Sequence, residues 1–215
     1  MRALTFLACL AGVLVLAAPS GAAPPSLLAR MPLPKQALGP DAAALPLAAD
    51  SGVDSNANAA KNAGPGFTAA DLSKQGRITG YRLDYYDANG ARAQGALIAV
   101  ETIAELYQSP AAATTGLSFW RSVTKRLHGS VQNGVTIDVR AFPARVEDGT
   151  FAFQLAYSVG GRTVSYVGDV VFRSGSYLGA VFVTATDEIG LRSRTVALAG
   201  KLAARIHGVL AGKIR

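Results

Sequence analysis

An alternation of apolar and polar side chains runs through most of residues 77–186, and it constrains the fold more than any other feature of the sequence. A period of two is typical of strands with one buried face. Turn-forming residues separate the segments: residues 87–90 are Asp-Ala-Asn-Gly, residues 160–161 are Gly-Gly and residues 174–175 are Ser-Gly. We therefore expect a hairpin over residues 77–107 and a four-stranded antiparallel meander that begins near Val135.

Helical spacing replaces this alternation elsewhere. Two short helices are expected, the first capped by Ser55 or Asp54 and the second by Thr68. A central helix is expected between a cap at residues 114–115 and Gly129. The segment 187–215 predicts an amphipathic helix with an apolar stripe formed by Leu191, Thr195, Leu198, Leu202, Ile206 and Val209. Together these patterns predict an α+β fold, with an antiparallel sheet packed by the central and C-terminal helices.

Three side chains are open to a structural or a functional interpretation. Trp120 shares a helical stripe with Leu117 and Leu127, which favours a core anchor over a binding site. His128, in the last turn of that helix, is interpreted as a solvated cap rather than a catalytic group. Asp169 interrupts an apolar strand, and we expect it to pair with Arg173 or Arg162 across the sheet. A functional carboxylate is the alternative for Asp169.

The N-terminus predicts export. Arg2 is followed by an apolar run over residues 3–18 and then by small residues at 20–23. That order is typical of a cleaved secretory signal peptide, and the run is shorter than the roughly 20 residues that a membrane-spanning helix needs. We therefore expect residues 1–23 to be a signal peptide, with no stable membrane span after cleavage. The mature chain is expected to be secreted or to lie in the cell envelope, and retention as an anchor is the alternative.

Composition divides the rest of the chain. Residues 24–66 are rich in Ala and Pro, yet their leucines make them more apolar than a free linker, so we expect a partly ordered N-terminal segment. Residues 67–215 are expected to form a single α+β domain and a monomer. The single cysteine, Cys9, lies in the signal peptide, so we expect no disulfide, thiolate nucleophile or cysteine metal site in the mature chain.

Positive charge is concentrated in the C-terminal half. From residue 121 onward there are 13 Lys and Arg against 6 Asp and Glu. Arg194, Lys201 and Arg205 fall within one sector of the C-terminal helix, and Arg121 and Lys125 join them if the two helices flank the same side of the sheet. We take these five residues as candidates for anion binding. For an exported protein the anionic partner would be an envelope polymer or a lipid surface, not nucleic acid, and a merely solubilising surface is the alternative.

The order of elements resembles the PsbP-like α/β/α sandwich of small exported bacterial proteins. The resemblance covers residues 68–215. It rests on the element order, on the small-residue segment Ser-Pro-Ala-Ala-Ala at 109–113, on Glu-Asp-Gly at 147–149 and on Arg-Ser-Gly-Ser at 173–176. It implies a sandwich fold and a non-enzymatic binding or assembly role, although a fold alone does not fix a function.

Three functions remain open from the sequence. The first is an exported, non-enzymatic binding or interaction module that acts at the cell envelope through a basic face. The second is a small-ligand sensory domain, and the third is a carboxylate-dependent hydrolase. The sequence contains no zinc, nucleophile-elbow, phosphate-loop or dinucleotide motif, so we expect no enzyme, no cofactor and no metal.

Overall fold

The computed structural model describes residues 27–64, 66–87 and 96–214. The expected signal peptide at 1–23, with Cys9, and the expected turn residues 88–90 lie outside these ranges. Within the described ranges, no helix combines the length and the apolar character required to cross a membrane.

The strands form a single antiparallel sheet in the order β1-β2-β3-β8-β7-β6-β5-β4. The described residues supply eight strands: β1 Gly52–Asp54, β2 Arg77–Tyr86, β3 Leu97–Tyr107, β4 Val131–Gln132, β5 Val135–Ala141, β6 Thr150–Val159, β7 Arg162–Ser174 and β8 Tyr177–Ala185. The β2–β3 hairpin and the meander β5 to β8 agree with the alternation in the sequence. They become one sheet because β8 returns to pair with β3. The turn between β7 and β8 lies one residue later than expected, since Ser174 pairs with Tyr177.

Four α-helices accompany the sheet in the described residues: α1 Asn56–Ala63, α2 Ala69–Lys74, α3 Pro110–Arg126 and α4 Leu191–Leu210. Ser55 caps α1, and Thr68 with Asp71 forms a capping box at α2, as the sequence predicted. The expected start of α3 was wrong. Ser109 is its N-cap and Pro110 its first residue, so the helix begins about one turn before Thr114.

Helix α4 and the N-terminal segment cover one side of the sheet, which we call the α4 face. Every residue of the predicted apolar stripe of α4 is buried, and it packs on β7 and β8 through residues such as Val170 and Val181. Residues 27–48, the N-terminal strap, lie over β2 and β3 in three short 3-10 turns. Leu28, Met31 and Leu33 of the strap are at most 1% exposed.

The strap and β1 extend the folded unit toward the N-terminus. The backbone N–H of Leu33 donates to Thr102 Oγ1 at 3.1 Å, and the strap residue Leu47 bridges to Tyr85 beside β1. Thr102, which interrupts the apolar pattern of β3, is therefore a buried acceptor for the strap. The boundary expected at residue 67 leaves out residues that belong to the core, because the strap's apolar side chains fill the space over β2 and β3 that α4 does not reach.

Helix α3 lies on the opposite side, the α3 face. Side chains alternate along a strand, so Val170 and Phe172 point to α4 whereas Asp169 and Val171 point to α3. Helix α3 runs from the end of β3 across β8 and β7 to β5, where the N–H of Gly129 donates to the carbonyl of Ile137. It leaves the part of this face near Glu101 and Phe182 partly exposed.

Candidate functional site

The three cations predicted on α4 share one side of the helix, as their spacing indicated, but they contact the N-terminal strap. Arg194 forms an ion pair with Asp41. Lys201 Nζ donates to the carbonyl oxygen of Ala37 at 2.9 Å. Both contacts link residues more than 150 positions apart in sequence. Sequence spacing placed these side chains correctly on the helix but could not show what lies beside them.

Arg205 makes the deepest of these contacts. Its Nε donates to the carbonyl oxygens of Arg30 at 2.7 Å and of Pro32 at 3.1 Å. Burial and the nearby Arg30 guanidinium lower the pKa of Arg205. The three α4 cations therefore fasten the strap, and their hydrogen-bonding capacity is partly used within the chain.

Arg121 and Lys125 do not join them. Both are exposed on α3, which lies on the other side of the sheet from α4. The condition for one combined basic face, that both helices flank the same side, is not met. The five candidate anion-binding residues are thus divided between two surfaces.

Trp120 is half-buried and packs at the junction of α1, α2, α3 and the sheet, as a core anchor should. It has a second role that the sequence did not indicate, because its Nε1 donates to Glu105 Oε2 at 3.0 Å. His128 is an exposed side chain near the end of α3; its Nδ1 accepts from the N–H of Val139 at 3.2 Å and lies 3.0 Å from Asp138 Oδ1.

A buried charged network centred on Arg77 closes one end of the α3 face. Arg77 Nε lies 2.8 Å from Glu105 Oε1, and its Nη2 lies 2.6 Å from Asp54 Oδ2. Arg77 Nη1 donates to Asn56 Oδ1, while Tyr107 donates to Glu105 Oε2 at 2.9 Å. Burial outweighs the Arg77 charge and raises the pKa of Asp54 to about 6. Asp54 Oδ1 is buried without a hydrogen bond from the described residues, but the rest of the network is densely bonded and α1 and α2 cover it, so we assign it a structural role.

The sheet register brings three further carboxyls into one row on the α3 face. Asp84 of β2 pairs with Glu101 of β3, Glu101 pairs with Phe182 of β8, and Phe182 pairs with Asp169 of β7. Directly paired residues in antiparallel strands project to the same face about 5 Å apart. We call Asp84, Glu101 and Asp169, with Phe182 between the last two, the acidic row.

Asp84 and Glu101 are poorly neutralised. Arg82 lies beside them, but its Nη2 contacts Asp50 at 2.6 Å and only its Nη1 approaches Glu101, at 3.5 Å. Asp84 is 7% exposed, and its carboxylate receives no hydrogen bond from the described residues. Burial raises the pKa of Asp84 to about 6. Burial and the neighbouring Asp84 charge raise the pKa of Glu101 to about 8.

Asp169 lies under α3. Its Oδ2 accepts from Thr124 Oγ1 at 3.2 Å, and its Oδ1 is buried without a hydrogen bond from the described residues. Burial raises the pKa of Asp169 to about 7. The expected pairing with Arg173 or Arg162 was wrong. Arg173 projects from the same strand four residues away, about 13 Å along it, and the residues opposite Asp169 are phenylalanines.

One arrangement bears on the hydrolase alternative. Ser174 Oγ lies 2.9 Å from His207 Nε2, and Glu147 Oε1 lies 3.5 Å from the same nitrogen. In a nucleophile–base–acid relay the acid contacts the other imidazole nitrogen. Ser174 is also only 8% exposed. The adjacent shallow depression, formed by residues 144–150, is mostly polar loop. This geometry does not match that of an activated serine. No group of three or more His, Cys, Asp or Glu suited to a metal ion occurs in the described residues.

The acidic row was missed in the sequence because its members look unremarkable one at a time. In the alternating sequence pattern Asp84 and Glu101 fall on the polar side of their strands, where charged residues are ordinary. Only the pairing of β3 and β7 with the two sides of β8 places Glu101 and Asp169 in one row, with Phe182 between them. The available signal was the position of Asp84, Glu101 and Glu105 on the side of β2 and β3 that alternates with the apolar side chains, but the register between distant strands cannot be read from it.

Comparisons with known proteins give a fold likeness only. No family model matches the chain, and no curated protein matches it. Among solved structures, the extracellular domain of PknH from Mycobacterium tuberculosis superposes with a TM-score of 0.53 at 11% sequence identity. The match covers 86% of this chain and 95% of that domain. The chain is therefore an α+β protein whose fold is similar to that of an extracellular domain, and a PsbP-like family stays a prediction.

Proposed function

We propose that the chain is an exported ligand-binding or sensory domain, and that its ligand contacts the partly exposed portion of the α3 face. One observation carries this proposal: the acidic row holds buried and half-buried carboxyls that the fold leaves short of positive partners. Leaving a buried polar group without a partner destabilises a protein by about 1–3 kcal/mol. Such groups concentrate at binding and functional sites.

Two further features support the same proposal. The apolar run over residues 3–18 favours export. The fold is similar to a domain described as extracellular, the extracellular domain of PknH. A binding role agrees better with the geometry than catalysis does, because Ser174 and His207 lack the relay arrangement and Asp169 is enclosed beneath α3.

The experiment is a chemically mixed fragment screen against the protein recovered from the extracytoplasmic fraction, read by backbone amide NMR. Fragments that bind should shift the amide signals of Asp84, Glu101 and Phe182 and leave those of α4 in place. The mature N-terminus, which we expect near residues 21–24, is sequenced on the same sample. Fragments that shift only α4-face signals, or an intact Met1 chain in the cytosol, would overturn the proposal.

The alternative of an anionic envelope polymer or lipid surface has weaker support. Its three α4 cations are engaged with the strap, so Arg121 and Lys125, which are exposed on α3, are the candidates without such contacts to the described part of the chain. Co-sedimentation with vesicles of anionic lipid at low and high salt tests it, with the paired variant Arg121→Glu and Lys125→Glu. Salt-sensitive binding that this variant loses would favour the surface-binding function over a small ligand.

A further inference from the structure

We propose that the pair Asp84 and Glu101 binds an aliphatic ammonium group, with Phe182 as an aromatic neighbour of the bound cation. This inference rests on the proposed function, because it names the ligand class for the same face. Two observations support it. The two carboxyls have too few positive partners within the chain, and the residues around them suit an ammonium group.

The geometry of the pair is set by the sheet. Asp84 and Glu101 are directly opposed on β2 and β3, so their β-carbons are about 5 Å apart and both carboxyls project from the α3 face. A compact ammonium can donate to two carboxylates at that separation. Like charges so close to each other disfavour ionisation of both, unless a cation lies between them.

Arg82 does not fill this role. It forms a short contact with Asp50, whose side chain is 48% exposed, and reaches Glu101 only at 3.5 Å. The three carboxyls of Asp50, Asp84 and Glu101 therefore share one guanidinium. The charged groups that influence Glu101 are Asp84 and Arg82 from β2, Asp54 from β1 and Asp50 from the loop before β1.

A second observation points to a missing ligand rather than to an ordinary acidic surface. Asp84 is more than nine-tenths buried, yet no hydrogen bond from the described residues reaches its carboxylate. The Asp84 carboxylate oxygens are not among the fully enclosed unpartnered atoms of the described residues, so a donor from outside the chain can reach them. Burial and the Asp84 charge raise the pKa of Glu101 to about 8, so we expect the pair to hold a proton at neutral pH when no cation is bound.

The neighbouring residues select the class of cation. Phe182 lies next to Glu101 in the row and is partly exposed, so its ring can contact a cation or its alkyl chain. Metal ions prefer several oxygen ligands in a closed shell, and no such group occurs in the described residues. An organic ammonium with an attached methylene chain can donate hydrogen bonds to the carboxyls and pack its methylene groups against the ring.

Binding has a chemical signature. When R–NH₃⁺ enters, the Glu101 carboxylic acid loses its proton to solvent and the carboxylate receives the ammonium hydrogen bond. Each cation bound at pH 7 should therefore release up to one proton. Affinity should fall by up to about tenfold per pH unit below the pKa of the pair, because the proton and the cation compete for one place.

The test is a titration of the secreted protein with putrescine, compared with the neutral isostere 1,4-butanediol. Nα-acetyl-lysine methylamide is the third probe, because it separates a free amine from a lysine side chain carried by a peptide. Amide NMR gives the site, and calorimetry at pH 7 in two buffers of different ionisation enthalpy gives the proton release. Magnesium chloride at equal ionic strength controls for a general charge effect.

The informative variants are Glu101→Gln and Asp84→Asn, which mimic the protonated side chains and should fold. Asp148→Asn is the matched control, because it removes one exposed acid from a distant loop. We expect at least one ammonium probe to shift the Glu101 and Phe182 amides with proton release. Its affinity should fall at least tenfold in Glu101→Gln and stay within about twofold in Asp148→Asn.

Several results would overturn the ammonium assignment: equal binding of butanediol, unchanged binding by Glu101→Gln, or binding without proton release. If neutral or anionic fragments still shift the α3-face amides, the proposed function stands and only the ligand class is wrong. If no probe or fragment of any class affects that face, both proposals fail.

Discussion

The two faces of the sheet are built on different principles. On the α4 face a helix and the strap cover the strands with apolar side chains, and residues such as Val100, Val181 and Leu202 are fully buried. On the α3 face, charged residues lie among the apolar ones, and part of the sheet stays exposed. Hydrophobic burial thus concentrates on the α4 face, whereas the groups that titrate or lack partners concentrate on the α3 face. Stability and binding can therefore be altered separately.

The largest effect is expected at Arg77, where the α3 face depends on one buried cation. Arg77→Met should lower the free energy of unfolding by about 3–5 kcal/mol, because Asp54 and Glu105 are left buried without a counter-charge. Urea denaturation measures it. Combining Arg77→Met with Glu105→Gln should recover part of the loss, while the exposed control Lys74→Met should change little. A loss below about 1 kcal/mol would show that this network contributes little to the stability of the α3 face.

The stability of the α4 face should depend on side-chain volume rather than on charge. Leu202 is fully buried between α4 and the sheet, so Leu202→Ala should cost about 2–5 kcal/mol through lost burial and the resulting cavity. Leu210, which is 45% exposed at the end of the same helix, provides the control, and Leu210→Ala should have a small effect. The Leu202 loss should be the same at pH 5 and pH 8. A pH-dependent loss would mean that the two faces are not independent.

Sequence patterns captured the α4 face better than the α3 face. The stripe of α4 was predicted residue by residue because helical periodicity is local. The start of α3 was placed too late because Thr114 and Thr115 resemble caps. Within the helix their hydroxyls donate instead to the carbonyls of Pro110 and Ala111. Local sequence does not distinguish these two uses of a threonine.

What could not be predicted depends on contacts between distant segments. The strap's carbonyls lie more than 150 residues from the α4 cations that they bind, so those cations looked free in the sequence. The acidic row depends on the pairing of β3 with β8 across α3 and the meander. A one-residue change of that register would move Glu101 to the other face relative to Phe182, and no local signal fixes it.

The two faces should also differ in how their contributions to stability depend on pH. The pKa values of Asp84, Glu101 and Asp169 are raised to about 6, 8 and 7 by burial. The unfolded chain loses these protons near pH 4, while the folded chain keeps them. The contribution of these groups to the free energy of unfolding is therefore fully present below pH 4. It decreases as the pH rises from 4 to the folded-state pKa of each group, by about 1.4 kcal/mol per pH unit for each group that titrates alone.

We expect a decrease of at least about 2 kcal/mol in the free energy of unfolding between pH 5 and pH 8. Urea denaturation at several pH values measures it. The triple variant Asp84→Asn, Glu101→Gln and Asp169→Asn should lose most of this slope and keep mainly the contribution of Asp54, whose pKa is also raised, to about 6, whereas Leu202→Ala should keep the slope of the original chain. Stability that rises from pH 5 to pH 8 would contradict the assignment of raised pKa values to this face.

The smallest effect is expected at the cations that fasten the strap. Arg205→Met keeps the aliphatic stem but removes two hydrogen bonds to strap carbonyls, so it should destabilise the docked strap by about 1–2 kcal/mol. Lys201→Met removes one exposed bond and should cost less than about 0.5 kcal/mol. Local opening can be followed by trypsin cleavage after Lys35, detected by mass spectrometry. Because 1.4 kcal/mol corresponds to a factor of ten, cleavage should be about tenfold faster in Arg205→Met and nearly unchanged in Lys201→Met.

Equal cleavage rates in Arg205→Met and the original chain would show that apolar contacts alone hold the strap. The α4 cations would then be available to other partners.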